Sequence, residues 1–223
     1  MPSGNSPFLE KLRIIRMKRL RIKRILSVVL ALLMIITVMP QSQVYVMAAQ
    51  GSASLSNLGN LGTVNIGNKS ESGIWLKTKV NGKAAFCLDL GKSCHTGYVY
   101  ESSEERLSSD SKNKVKALKA QIGYWYAVTK KSSTMAWVYA QCLIWGVEEG
   151  ITSELKDIIS QVKKNTGYYS GNNLYSDIFG GDATVYCDVI QWKYSGKTDE
   201  KYVQRLMQVT SGDEEVEPDC IDK

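Results

Sequence analysis

The sequence predicts an α+β fold, and three observations carry that prediction. Asn81-Gly82 lies between two runs of β-type residues, apolar residues recur at helical spacing between about 112 and 164, and strand-like alternation returns from 183 onward. Asn-Gly supplies the two positive-φ residues of a type I′ turn, the strongest short-range hairpin signal. Apolar recurrence at three and four residues marks one face of a helix, and alternation marks a half-buried strand.

The formal net charge of +6 is unevenly placed. Residues 1–49 hold eight basic residues and one acid, Glu10, which leaves 20 basic and 21 acidic residues for 50–223, a net of −1. A basic stretch from Lys11 to Arg24, an apolar run from Ile25 to Val38 and small residues at Ala48-Ala49 read as a secretory signal over 1–49. The apolar run is shorter than the roughly 20 residues a spanning helix needs. The basic balance therefore belongs to export, and no nucleic acid is expected as a partner. The mature chain is expected to have no membrane segment and to occupy one domain over 50–210. An acidic linker or truncated tail, 211–223, follows and carries Cys220.

Residues 50–73 are rich in Gly, Ser and Asn and read as a loose lead-in with one short strand near 62–66. The hairpin follows over 74–88. Its two-residue turn fixes the register, so Val80 faces Lys83, Thr78 faces Ala85 and Leu76 faces Cys87. Lys77 and Lys79 put the other face partly in water, so Cys87 points inward. Residues 89–100 and the charged stretch 101–113 read as loops. Asp110 or Ser111 then caps a helix over about 112–127, with Val115, Leu118 and Ile122 on its apolar face. Thr134 caps a second helix over about 135–149, closed by Gly150. Its Gln141 shares a face with Trp137, Ile144 and Trp145. A third helix, to about Lys164, has the stripe Leu155, Ile158, Ile159 and Val162. Residues 165–182 read as a long surface loop containing Tyr168 and Tyr169. Strands over 183–194 and 201–209 complete the domain.

Five cysteines in an exported chain suggest disulfides, and an odd count leaves at least one thiol over. Cys87 alone reads as a small core residue or half a disulfide. Gln141 alone reads as a buried amide bonded to backbone. His95 is the single histidine, and Cys94 beside it offers a thiol but names no third, orienting group.

Read together, two stretches change this picture. Phe86-Cys87-Leu88-Asp89-Leu90-Gly91-Lys92 and Ala140-Gln141-Cys142-Leu143-Ile144-Trp145 resemble the paired motifs of thioester domains in Gram-positive surface adhesins. Those domains have an aromatic-Cys strand, often continuing Leu-Glu-Pro-Gly-Lys, and a helix bearing Thr-Gln-x-Ala-Ile-Trp. The resemblance covers roughly residues 70–210. Ala140 stands where the family has threonine, and Leu143 where it has alanine. The resemblance implies an antiparallel β-sandwich-like core with an inserted helical subdomain, about 110–164, carrying Gln141. It also implies that Cys87 and Gln141 form an internal thioester.

Such a bond would be made once, with loss of ammonia and no turnover, so the protein is not expected to be an enzyme. No cofactor or metal is expected. Holding the sulfur against the amide carbon can lower the barrier by roughly 7–11 kcal/mol. Trp137, Ile144 and Trp145, with Leu76 opposite Cys87, are expected to keep water out. The partner would be an amine, such as a lysine on a host surface or matrix protein. The expected location is secreted or at the cell surface. The usual Leu-Pro-x-Thr-Gly sorting signal is absent from the sequence, so the chain is expected to be truncated, freely secreted, or one piece of a longer surface protein. Two rival readings accompany this one. The first is a non-covalent extracellular binding module in which Cys87 pairs with Cys94, Cys142 or Cys187. The second is a cysteine hydrolase using Cys87 or Cys94 with His95.

Overall fold

The computed structural model describes residues 49–130, 133–168 and 173–214. The expected export signal (Ala49 apart), Tyr169, Cys220 and residues 215–223 of the expected acidic tail lie outside the described residues. Among the described residues no helix is long and apolar enough to cross a membrane.

Among the described residues, seven antiparallel strands form the main sheet. β1 (Gln50–Asn60), β4 (Ile74–Val80), β5 (Lys83–Ala84), β6 (Phe86–Cys87), β7 (Val99–Ser108), β8 (Val185–Tyr194) and β9 (Leu206–Glu214) lie in the order β5-β4-β1-β7-β8-β9-β6. β2 (Val64–Ile66) and β3 (Lys69–Glu71) form a separate hairpin. Between β7 and β8 come α1 (Lys114–Tyr124), α2 (Thr134–Glu148), α3 (Leu155–Thr166) and α4 (Leu174–Phe179). The class is α+β, as expected, with the helices gathered in one insertion.

The hairpin has its expected turn. Asn81 has φ +49° and Gly82 φ +77°, and Val80 pairs with Lys83 and Lys79 with Ala84. Ala85 N–H still donates to Thr78 O at 3.0 Å. Beyond it the chain changes partner: Phe86 pairs with Met207 and Cys87 with Leu206. β5 and β6 thus sit at opposite ends of the strand order, with only Ala85 between them in sequence. The sheet curls back until its two edges are joined through that residue, a corner of the kind sandwiches make when a strand switches partners. Cys87 lies at this seam. Leu76 therefore does not pair with Cys87. The β1–β4 register shifts between Asn57 and Gly59, and beside that irregularity Trp75 is buried against Trp145 while Leu76 is 45% exposed.

Other elements also differ from expectation. The lead-in is mostly β1, which pairs with β4 on one side and β7 on the other. The charged stretch after Tyr100 is β7, paired with β8 over nine residues. Its Glu101 and Glu104 are exposed and Glu105 is half-buried against Lys116 Nζ at 2.7 Å, while Tyr100 and Leu107 are buried. The loop expected over 165–182 contains α4. The last strand begins at Leu206, after a 3-10 turn at Glu200–Tyr202, and runs on to Glu214.

The helices carry their own start and stop signals. Asn113 caps α1, its Oδ1 accepting from Lys116 N–H, and Ser133 Oγ caps α2 by accepting from Ala136 N–H. Each cap lies within three residues of the expected one and satisfies an N–H that a helix end leaves open. A π-helical turn, Trp125–Thr129, extends α1. α2 is buried continuously from Ala136 to Val147, as suits a helix apolar on every face. α3 buries Leu155, Ile158, Ile159 and Val162, the expected stripe.

Candidate functional site

Cys87 reaches the interior from β6, and Gln141 from the middle of α2. The two meet. Gln141 Oε1 accepts from the Cys87 backbone N–H at 2.7 Å, and Gln141 Nε2 donates to the Cys87 carbonyl at 2.8 Å. Gln141 is 0% exposed and Cys87 5%.

One turn earlier on α2, Trp137 Nε1 donates to the Ala85 carbonyl at 3.0 Å. Helix residues four apart are separated by about 6 Å, and strand residues two apart by about 6.6 Å. The pair 137/141 therefore matches the pair 85/87, and two side chains of one helix face clamp the backbone of one short strand. Phe86, between the clamped residues, packs edge-on to Tyr126 at 5.1 Å and stacks with Trp137 at 6.0 Å. The chain beyond Cys87 is pinned by Asp89. Its carboxylate accepts from Arg205 N at 2.8 Å and from Arg205 Nη2 at 2.8 Å.

Thr78 Oγ1 lies 3.3 Å from the Cys87 sulfur. Burial pushes the thiol pKa up to about 12, against a smaller downward pull from the Thr78 hydroxyl. Cys87 is therefore a protonated thiol at neutral pH. The hairpin register already placed Thr78 on the Cys87 face, and that alternation is the signal by which it was findable from sequence.

Cys87 and Gln141 line a cavity of about 310 Å³, together with Thr78, Trp137, Trp145 and Glu71 among others. Trp145 Nε1 and Gln204 Oε1, of the same cavity lining, are buried and have no hydrogen-bond partner among the described residues. Glu71 and Gln204 come from segments distant in sequence, and no local pattern links them to the Cys-Gln pair.

The other candidate residues stand apart from this pair. Among the described residues Cys87 makes no disulfide with Cys94, Cys142 or Cys187, so the pairings of the binding-module reading are not formed. Cys94 Sγ accepts from Tyr100 Oη at 3.5 Å, and Cys187 Sγ donates to the Ala120 carbonyl at 3.2 Å. His95 is exposed and rests its ring against Tyr98. Tyr168 is tied back to the helices through Ser133 Oγ and Tyr139 Oη.

No family model and no curated protein matches the chain. Among solved structures, the chain is similar to the thioester domain of the Staphylococcus aureus TIE protein, with 16% identity, 71% of this chain and 92% of that one covered, and a TM-score of 0.41.

Proposed function

We propose that Cys87 and Gln141 condense into an internal thioester, and that the domain, exported to the cell surface or beyond, uses this bond to capture an amine covalently. One observation carries the reading. The amide of Gln141 is bound at both ends by the backbone of the residue that bears the thiol. A buried glutamine bonded to some backbone is ordinary. A glutamine whose two partners both belong to a buried cysteine is fixed against the residue that carries the thiol.

The chemistry follows from the contacts. Cys87 N–H donates to the oxygen that becomes negative when sulfur adds to the amide carbon. It is thus an oxyanion donor already in place. The Cys87 carbonyl holds the amide nitrogen, which leaves as ammonia. Sulfur bonds to the carbon, the carbon–nitrogen bond breaks, and the thiol proton goes out on nitrogen. With the thiol pushed up to about 12, little thiolate exists at neutral pH, so proximity in a dry site must supply the rate. Capture then runs by attack of an amine on the thioester carbonyl, forming an amide at residue 141 and returning the Cys87 thiol. A lysine on a protein of the colonised surface fits this chemistry. No turnover follows, so the domain acts as a trap and not as an enzyme.

Intact mass tests this. Loss of ammonia makes the chain about 17 mass units lighter than its sequence. The deficit is expected in the wild type and absent from Cys87→Ala and from Gln141→Ala. Full mass in freshly made wild type, with unaltered glutamine at 141 by peptide mapping, would overturn the reading.

A further inference from the structure

The cavity beside the Cys-Gln pair holds one acidic group, Glu71, and one basic group, Lys92. Lys92 lies 3.8 Å from the Asp89 carboxylate. Glu71 has no ion pair or hydrogen bond through its carboxylate among the described residues. Its charge nevertheless reaches the pair, since it contributes to raising the Cys87 thiol and also the Cys142 thiol. Glu71 closes the β2–β3 hairpin, opposite Val64. That hairpin is fastened to the helices at two points. Lys69 Nζ meets Glu149 Oε1 at 2.6 Å, and Asn65 N–H donates to Gln161 Oε1 at 2.8 Å. The carboxylate is thus carried to the cavity by a small, tethered element outside the main sheet.

We infer that Glu71 is the docking carboxylate and proton acceptor for the amine that the thioester captures, so that the site selects primary alkylammonium groups. This rests on the thioester reading above. A lysine-type amine has a pKa near 10.4 in water, so it arrives as an ammonium and cannot attack until it loses a proton. An unpaired carboxylate in the same cavity attracts that cation and accepts the proton. Burial raises the Glu71 carboxyl above the ordinary carboxylate range, which makes it a stronger base for this task. The ammonium gives one proton to Glu71, and the free amine adds to the Gln141 carbonyl carbon. The carbon–sulfur bond then breaks. Sulfur takes a second proton from the adduct nitrogen, and an N-alkyl amide remains at residue 141.

The test compares the full chain with its Glu71→Gln and Glu71→Asp variants, using methylamine and hydroxylamine as probes and intact mass as the readout. Methylamine is an ammonium at neutral pH, whereas hydroxylamine is largely uncharged. All three chains should show the mass deficit before the probe is added, because Glu71 takes no part in forming the bond. Glu71→Gln should then react with methylamine roughly 100-fold more slowly and lose less than about a tenth of that factor with hydroxylamine. Glu71→Asp should recover part of the methylamine rate. Unchanged methylamine capture in Glu71→Gln, or equal loss with both probes, overturns the inference and leaves the thioester standing. A deficit present in wild type but missing in Glu71→Gln also overturns it, since Glu71 would then act on bond formation or on the fold. No deficit in wild type removes the thioester reading itself, and this inference with it.

Discussion

Gln141 and Cys87 form a closed two-bond pairing, side-chain amide to main chain, across the junction of α2 and β6. The pairing has a structural consequence separable from any chemistry. Gln141→Ala leaves the buried Cys87 N–H and carbonyl without partners, whereas Cys87→Ala keeps both bonds. Neither variant can make the covalent link, so their difference isolates the pairing. Gln141→Ala is expected to be less stable than Cys87→Ala by about 1–3 kcal/mol in urea unfolding. Equal stabilities would mean that water entering the adjacent cavity replaces the amide.

Thr78 is a polar side chain in contact with the Cys87 sulfur. Its hydroxyl lowers the thiol pKa against the larger upward push of burial. Thr78→Val keeps the shape and removes that help, so the thiol should become still harder to ionise. Thioester formation should slow, seen as a smaller fraction of light chain at early times after synthesis. Thr78→Ser, which keeps the hydroxyl, should form the bond faster than Thr78→Val. The stability cost of Thr78→Val should be only about 1 kcal/mol. A Thr78→Val chain that acquires the deficit as fast as wild type would remove Thr78 from the mechanism.

Asp89 holds the segment that follows Cys87. Burial alone would raise its carboxyl, but hydrogen bonds from the Arg205 side chain and backbone, with the charges of Arg205 and Lys92, outweigh burial and bring it below the ordinary range. A carboxylate whose folded pKa is depressed stabilises the fold above its unfolded pKa, and that contribution fades as pH falls through the folded value. Asp89→Asn should therefore be less stable than wild type at neutral pH and approach it in strong acid. The half-exposed guanidinium limits the size of the effect, to about 1–2 kcal/mol at neutral pH. Urea unfolding at neutral pH and at about pH 3 checks the sign, and a gap that widens in acid would contradict it.

The elements nearest the site were the most legible in sequence, because short-range rules govern them. Asn81-Gly82 dictates the turn, the turn dictates the register, and the register puts Thr78 and Cys87 on the buried side. The apolar density of α2 likewise marks a helix that must be buried, with Gln141 inside it. Three things were not legible. The switch of Phe86 and Cys87 from β4 to β9 depends on a strand more than a hundred residues away. β1 and β7 have compositions of low strand propensity, Gly/Ser/Asn in one and Glu/Ser in the other, and their neighbours on both sides supply the pairing that their residues do not announce. Glu71 and Gln204 enter the cavity through tertiary packing alone.

β1 also shows why its unpromising composition is required. A β-carbon built on Gly51 would lie 2.5 Å from Val80 Cγ1 and 2.7 Å from Trp192 Cζ3. Both neighbours are buried, and the indole ring is rigid, so neither can give way cheaply. Gly51 is paired to Tyr100 of β7, so moving its backbone would disturb the centre of the sheet. Glycine here is a packing requirement, although a strand generally loses stability by carrying one. Gly51→Ala should destabilise by about 1–3 kcal/mol, the usual range for overpacking a core. Ser52→Ala, one residue along on the exposed side, removes no comparable contact and should change stability by less than about 0.5 kcal/mol. Thermal or urea unfolding of the two variants side by side decides the matter. A Gly51→Ala chain as stable as wild type would mean that Trp192 has room to move, and that β1 is held by its ladder alone.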